Sequence, residues 1–463
     1  MTTIDWAIVA LAAVMAPIGY RQGLLVAGLG FGGFAAGAVL GARLAPLLLE
    51  DGSASPYAPG VALAGGIFIA VSPELLRVGH EVLSDVPFWL FTCVALMAWA
   101  RGGDEADARS GVSRISPRWV ALAIAATLLA YFTRSAGLPL VAAAFIWLTW
   151  RRDWRAAGIL AGAAVPLAFA WWLRGHYAGA GGYLLPFISV DPYNPALGHV
   201  SLADIAGRFA ENVDRYATRH LPRTITGTLV NGEVIGPVVC LAAMAGWIRR
   251  LRKPSLTEVF FPTYLGLVLL WPVTWSGSRL LFPVLPLIAL YSVEPVAALV
   301  RRSSRPVLAG AALTIAAVAW IAPEVSHRVN NGSRCRAEQA GGNRYPCTSD
   351  PFREFLEVAR VSREKLPAGS VVLSRKPTIF FVHSGHRGGV YPYFPEPDSL
   401  FAAARRIGAD YVVMDRMSVL SERYVRPAIE QRPSAFCEVP GVRSGETRVL
   451  RLGQNSSLPI CTR

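Results

Sequence analysis

Long runs without a charged residue constrain this chain more than anything else in it. Ala58–Val71, Pro87–Ala100, Trp119–Phe132, Leu138–Trp150, Ala156–Leu173, Val234–Trp247, Val259–Trp275, Leu280–Tyr291 and Val307–Ile321 contain no Asp, Glu, Lys or Arg. With their flanks, several reach the ~20 apolar residues that cross a ~30 Å hydrocarbon core. In lipid, every backbone polar group must be bonded within the segment, so such runs are expected to be helices. Hydrophobic residues make up 53% of the chain and charged residues 16%, against about 25% charged in a soluble domain. The expectation is a polytopic α-helical membrane protein of about eleven spans, followed by a more polar C-terminal part.

The basic residues set the topology. Arg101–Arg118 is Arg-rich, and Arg151–Arg155, Arg249–Lys253 and Arg301–Arg305 are short and basic. Lys and Arg concentrate in cytoplasmic loops, which places these four on the inner side and orients the spans between them without a forced exception. Glu74–Asp85, Thr133–Gly137, Arg174–Thr226 and everything after Pro323 then lie outside. The net charge of +14 follows from the same bias. The basic residues form no continuous patch, and no Walker, GxGxxG, HExxH or GxSxG motif is present, so neither nucleic-acid nor cytosolic nucleotide binding is expected. At the N-terminus, Ile4–Ile18 and Leu24–Leu49 are joined only by Tyr20–Gly23. The apolar run follows no basic region, so a cleaved signal peptide is not expected.

Cysteine placement agrees with this topology. Cys93 and Cys240 sit inside apolar spans, while Cys335, Cys347, Cys437 and Cys461 lie in the polar tail. An even number in an external region points to two disulfides in an oxidising compartment. Three pairings are open, and Cys335–Cys347 with Cys437–Cys461 is favoured because both close short loops.

Two regions outside the spans have readable structure. Ser201-Leu-Ala-Asp204 resembles a capping box with Asp for Glu. Leu202, Ile205, Phe209, Val213 and Tyr216 follow at helical spacing, which fits a helix at the outer interface or one packed on the bundle. Asp191-Pro-Tyr-Asn-Pro195 reads as a turn. From about Asp350 the tail reads as a small α/β domain. A helix starts at Asp350-Pro351, a strand covers Val371–Leu373, a helix Ser399–Ile407, a buried strand Tyr411–Met414 and a last strand Arg448–Leu452.

The chemistry-bearing candidates fall on the expected outer side. Glu81 and Asp85 are one helical turn apart and share a face. With His80 they could hold a divalent cation or position a base; a solvated helix end is the plain alternative. Arg279, in Ser276-Gly-Ser-Arg279-Leu-Leu-Phe-Pro283, could grip a phosphate bidentately or simply snorkel. Arg134, in Phe132-Thr133-Arg134-Ser135, has the same two readings.

From about Ala64 onward the chain resembles the GT-C superfamily of membrane glycosyltransferases, in particular the bacterial aminoarabinose and protein O-mannosyltransferase group. The stretches that carry the resemblance are Ser72-Pro73-Glu74, the acidic segment Glu81–Asp85 before Pro87-Phe88, Phe132-Thr133-Arg134 and Arg279-Leu-Leu-Phe-Pro283. In the tail, Val371–Pro377 and Asp410–Asp415 resemble the outer α/β domain of such proteins. The resemblance implies transfer of a sugar from a polyprenyl-phosphate donor to a lipid, glycan or protein acceptor at the outer face of a bacterial cytoplasmic membrane. It matches Glu81 and Asp85 to the family's second acidic site, catalytic and metal-holding, and Arg279 to the position that holds the donor phosphate. His80 and Arg134 would assist in substrate binding. The family's first long outer loop, with its catalytic aspartate, is replaced here by Tyr20–Gly23. Residues 1–63, through Asp5-Trp6, Gly19–Leu24 and Gly41-Ala42-Arg43, resemble instead the start of CvpA-like colicin V production proteins. The expected division is therefore 1–63, a GT-C-like membrane domain 64–322 and an extracytoplasmic α/β domain 323–463. A polyprenyl-lipid-binding protein without turnover and a CvpA-like scaffold stand as alternatives.

Overall fold

A computed structural model describes residues 85–108, 115–177, 184–227, 232–302, 322–323, 326–327 and 330–453. The chain divides into two compact units. Residues up to Leu184 and Ser201–Val329 form the first; Leu185–Val200 and Asn330–Arg463 form the second.

The described part of the first unit is helical. Its principal helices are α1 (Asp85–Ala108), α2 (Pro117–Thr133), α3 (Leu138–Trp150), α4 (Trp154–Tyr177), α5 (Leu202–Arg215), α6 (Leu221–Thr226), α7 (Ile235–Arg250), α8 (Leu256–Leu270) and α9 (Leu285–Arg301). Local sequence explains where they start. Pro117 and Pro139 occupy early helical positions, where the missing N–H leaves no bond unmade. Ser201 with Asp204 and Ser255 with Glu258 form complete capping boxes, so the Asp variant at α5 does what Glu does elsewhere. α1 runs on to Ala108, past the apolar run that ends at Ala100.

The expected span Val259–Trp275 is shorter than its apolar composition. α8 stops at Leu270, and Trp271 is extended because it precedes Pro272, which disfavours helical geometry in the residue before it. Two 3₁₀ turns, Val273–Trp275 and Ser278–Leu281, bridge to Leu285, where α9 begins.

Among the described residues one helix, α4, is both long and apolar enough to cross a membrane, and only 17% of its apolar window is buried. Val165, Phe169, Trp172 and Tyr177 are each at least 60% exposed, an apolar surface of the kind that marks a membrane or protein interface. The other apolar helices are shorter, 10–17 residues, or about 15–26 Å at 1.5 Å per residue. The expected spans 58–71 and 307–321, the two N-terminal runs and the whole CvpA-like segment lie outside the described residues.

α1 packs along α2, α7 along α9, and α8 against α3, α5 and α1. The α7–α9 crossing is close: a Cβ on Gly246 would sit 2.0 Å from the Tyr291 carbonyl oxygen, so only glycine allows this approach. The basic loops are tied at neighbouring helix ends. Arg151 is bonded to Asp107 at 2.6 Å, and Arg118 to Glu105 at 3.0 Å. Arg250 lies 3.4 Å from the buried Glu258, which also accepts a 3.0 Å hydrogen bond from the Tyr291 hydroxyl.

The second unit is an α/β layer. Five strands, β1 (Val372–Leu373), β2 (Gly388–Gly389), β3 (Tyr411–Met414), β4 (Phe436–Ser444) and β5 (Thr447–Leu452), stand in the order β2-β1-β3-β5-β4. β1 is parallel to β2 and β3; β5 is antiparallel to β3 and β4. Both faces are covered, and β3 shows it by alternation. Tyr411 and Val413 pack with Phe355 and Ala359 of α10 (Asp350–Lys365) and Phe380 of α11 (Pro377–Ser384). Val412 and Met414 pack with Leu400 and Ala404 of α12 (Pro397–Ile407) and Ala428 of α13 (Arg426–Gln431). The helices and strands expected in the tail are present where the sequence placed them, within a residue or two. β2, β4, α11 and α13 were not expected.

Leu185–Val200 belongs to this unit. Its Asp191-Pro-Tyr-Asn-Pro195 stretch is the expected turn: Asp191 Oδ1 accepts from the Tyr193 N–H at 2.9 Å. Tyr193 lies beneath the Arg375 guanidinium, 5.0 Å from ring centroid to Cζ, meets Tyr393 edge-on at 5.5 Å, and gives its carbonyl to the Tyr424 hydroxyl. Arg375 and Asp415 stand just past the carboxyl ends of the parallel strands β1 and β3, so Tyr193 fills the crevice where α/β sheets commonly receive a ligand.

Candidate functional site

The site grows from the N-terminus of α1. Asp85 sits in the first turn, where the helix dipole favours a carboxylate. It is 3% exposed. A buried carboxylate needs a partner, and Asp85 Oδ1 is salt-bridged to Arg134 Nη1. The other oxygen, Oδ2, is shielded from solvent and accepts no hydrogen bond from the described residues. Arg134 reaches Asp85 because α2 ends at Thr133 and Arg134 is extended (φ −150°, ψ 139°) before the chain turns into Ser135–Gly137. Gly137 is fixed at this turn: a Cβ there would lie 2.7 Å from the Tyr131 backbone.

α8 supplies the floor. Phe88 of α1 stacks on Tyr264, with ring centroids 6.4 Å apart. The fully buried Tyr264 stands within electrostatic reach of Arg134, Tyr216 and Asp85, and its hydroxyl donates to the Leu280 carbonyl at 2.9 Å. Tyr216, just past α5, accepts from the Gly277 N–H at 3.2 Å. Burial pushes its phenol up to about 12, opposed by the Gly277 hydrogen bond and the charge of Arg279. Tyr216 therefore stays protonated at neutral pH and keeps its O–H to donate.

These two tyrosines hold the Ser278–Leu281 turn from both sides, at Gly277 and at Leu280. Arg279 projects from it, exposed. Among the described residues no carboxylate pairs with it. Asn212 of α5 fixes the neighbouring end of α8, its amide donating to the carbonyls of Leu269 and Trp271 at 2.8 Å each.

Three of the residues expected from sequence thus enter one neighbourhood: Asp85 and Arg134 as a pair, and Arg279 on a turn bound to the tyrosines beside them. Glu81 and His80 lie outside the described residues. Tyr216 and Tyr264 were not expected as site residues, although the adjacent Thr263 and Tyr264 hydroxyls in the otherwise apolar Phe260-Phe261-Pro262-Thr263-Tyr264-Leu265 are a visible signal. Among the described residues no group of three or more His, Cys, Asp or Glu side chains could hold a metal ion. Asp85, already bound to a guanidinium, does not make a cation site on its own, so no step is assigned to a metal here.

In the tail, Cys335 and Cys347 are disulfide-bonded, with Cα atoms 5.3 Å apart, and Cys93 and Cys240 are free thiols. Cys437 is also disulfide-bonded; Cys461 lies outside the described residues.

No family model matches the chain, and no curated protein matches it. Two similar solved structures come from Archaeoglobus fulgidus. One is the oligosaccharyltransferase in complex with Zn and sulfate, at 12% identity and TM-score 0.45. The other is the archaeal oligosaccharyltransferase AglB in complex with an inhibitory peptide and a dolichol-phosphate, at 12% identity and TM-score 0.48. Each match covers 95% of this chain and 64% of the other, so the chain spans less than two thirds of the length of those proteins.

Proposed function

We propose that this protein is a GT-C-like membrane glycosyltransferase that moves a sugar from a polyprenyl-phosphate donor to a lipid, glycan or protein acceptor at the outer membrane face. The observation that carries this reading is Arg279: exposed, without a carboxylate partner among the described residues, and mounted on a turn bound by Tyr216 and Tyr264. A guanidinium placed this way is suited to a phosphate, which it can bind through two parallel N–H donors. Asp85, anchored by Arg134 through one oxygen, keeps the other for a proton from the acceptor hydroxyl. Glu81 would add a second carboxylate to Asp85 and His80 an imidazole, and a paired carboxylate site of that kind would take a divalent metal.

The test is sugar transfer from polyprenyl-phosphate donors by the purified protein in vesicles. Arg279→Ala is expected to raise KM for the donor, and Asp85→Asn to lower kcat about 100-fold, the range for loss of a positioned acid or base. Parental rates in both variants would overturn the assignments. The burial of Asp85 and its ion pair favour a second reading, in which the site binds polyprenyl phosphate without turnover. Donor binding that is lost in Arg279→Ala, with no transfer by the parent, is the result that reading requires.

A further inference from the structure

Helix α5 is packed inside out. Its contact line to the rest of the first unit is polar: Arg208 and Asn212 are buried, followed one turn later by Tyr216. Leu202, Phe209 and Val213 stay at 86%, 43% and 42% exposure, with Ile205 beside them. A helix packing on a soluble core does the reverse. A third face, exposed and acidic, bears Asp204, Glu211 and Asp214. Protein, apolar and acidic faces thus divide the helix lengthwise.

Its height along the bundle is fixed as well. Asn212 bonds the last carbonyls of α8, and Trp271 and Trp275 stand there with ring centroids 6.1 Å apart. Phe169, Trp171, Trp172 and Tyr177 crowd the C-terminal end of α4, with Arg174 over the Trp171 ring at 5.2 Å. Tryptophan and tyrosine collect at the level of lipid headgroups, and a helix with one apolar and one charged face lies in that plane.

We infer that α5 is seated in the outer leaflet, with Leu202, Ile205, Phe209 and Val213 in the acyl boundary and Asp204, Glu211 and Asp214 toward water. Its occupant is lipid, because the apolar face flanks the polar contact line and stays uncovered by protein beside it, at the level of the Trp271 and Trp275 rings. Through Tyr216 and Gly277 the seated helix holds the Arg279 turn at phosphate depth. The inference rests on the membrane reading above and adds a lipid-binding face to it.

The test uses the full chain with Cys93→Ser and Cys240→Ser, in vesicles of phosphatidylcholine and phosphatidylglycerol. Single nitroxide labels are placed at Phe209, Val213, Glu211 and Asp214, with Val165 on α4 as reference. Power saturation compares collisions with oxygen, enriched in lipid, and with a nickel chelate, confined to water. The expected result is oxygen dominance at 165, 209 and 213, and nickel dominance at 211 and 214. Nickel access at 209 and 213 equal to that at 211, or exclusion of both reagents from 209 and 213 by a covering protein, overturns the inference while 165 stays in lipid. Nickel dominance at 165 too overturns the membrane reading itself. All five positions are exposed, so the labels displace no buried side chain.

Discussion

The Asp85–Arg134 pair has an energetic signature that separates it from a surface ion pair. Truncating one partner leaves the other charge buried and alone, at a cost of about 3–5 kcal/mol. Arg134→Ala is therefore expected to lower the melting temperature sharply, while Asp85→Asn with Arg134→Gln recovers most of the loss; a double-mutant thermal series measures this. Tyr216→Phe removes a single hydrogen bond worth about 1 kcal/mol, so about a 5-fold rise in donor KM with little change in kcat is expected from steady-state kinetics. Asp415, in the second unit, gives a pH prediction. Burial raises its pKa, against the lowering effect of hydrogen bonds from Ser421 and the Met417 N–H and of Arg375. The folded state therefore holds this proton to a higher pH than the unfolded chain does. Its stabilising contribution is complete below the ordinary carboxylate pKa and fades as pH rises through the raised one. Asp415→Asn, uncharged throughout, is expected to flatten that decline, read as the melting difference between variant and parent from mildly acidic to neutral pH.

Among the elements, the α7–α9 crossing is the least tolerant. Gly246→Val would force a side chain into the Tyr291 carbonyl and is expected to abolish the folded state in detergent, checked by size-exclusion profile. The elements also differ in how much of them could be read from the sequence. The starts of α5 and α10 were legible because the Ser201–Asp204 capping box and Asp350-Pro351 act locally; Pro117 and the Ser255–Glu258 box carry the same local signal at α2 and α8, where the expected spans began only at Trp119 and Val259. The end of α8 was not legible, because hydrophobicity continues unbroken to Trp275 while a single proline sets the backbone. β4 was missed for a related reason. It contains Pro440 and a positive-φ Gly441, and its pairing with β5 shifts register between Glu438 and Arg443, so an edge strand reads as a loop. Composition could place Asp85, Arg134 and Arg279 on one side, but the pairing of the first two depends on the contact between α1 and α2, which no local pattern encodes.

At the scale of the whole molecule, the chain crosses between its two units three times, after Leu184, Val200 and Val329. The Cys335–Cys347 loop, with a sequence separation of 12, is of a size whose closure contributes roughly 3 kcal/mol. Non-reducing peptide mapping is expected to recover the two cysteines as one linked fragment. The docking of Leu185–Val200 has a consequence for biosynthesis. A ribosome completes this segment well before the sheet that receives Tyr193, and α5 to α9 emerge in between. The nascent chain must carry the segment undocked, with its aromatic side chain uncovered, until β3 and the Arg375 turn have been made. The α/β layer thus closes only after α5 to α9 have been made, and a fragment beginning at residue 330 would emerge without the residue that seals its crevice.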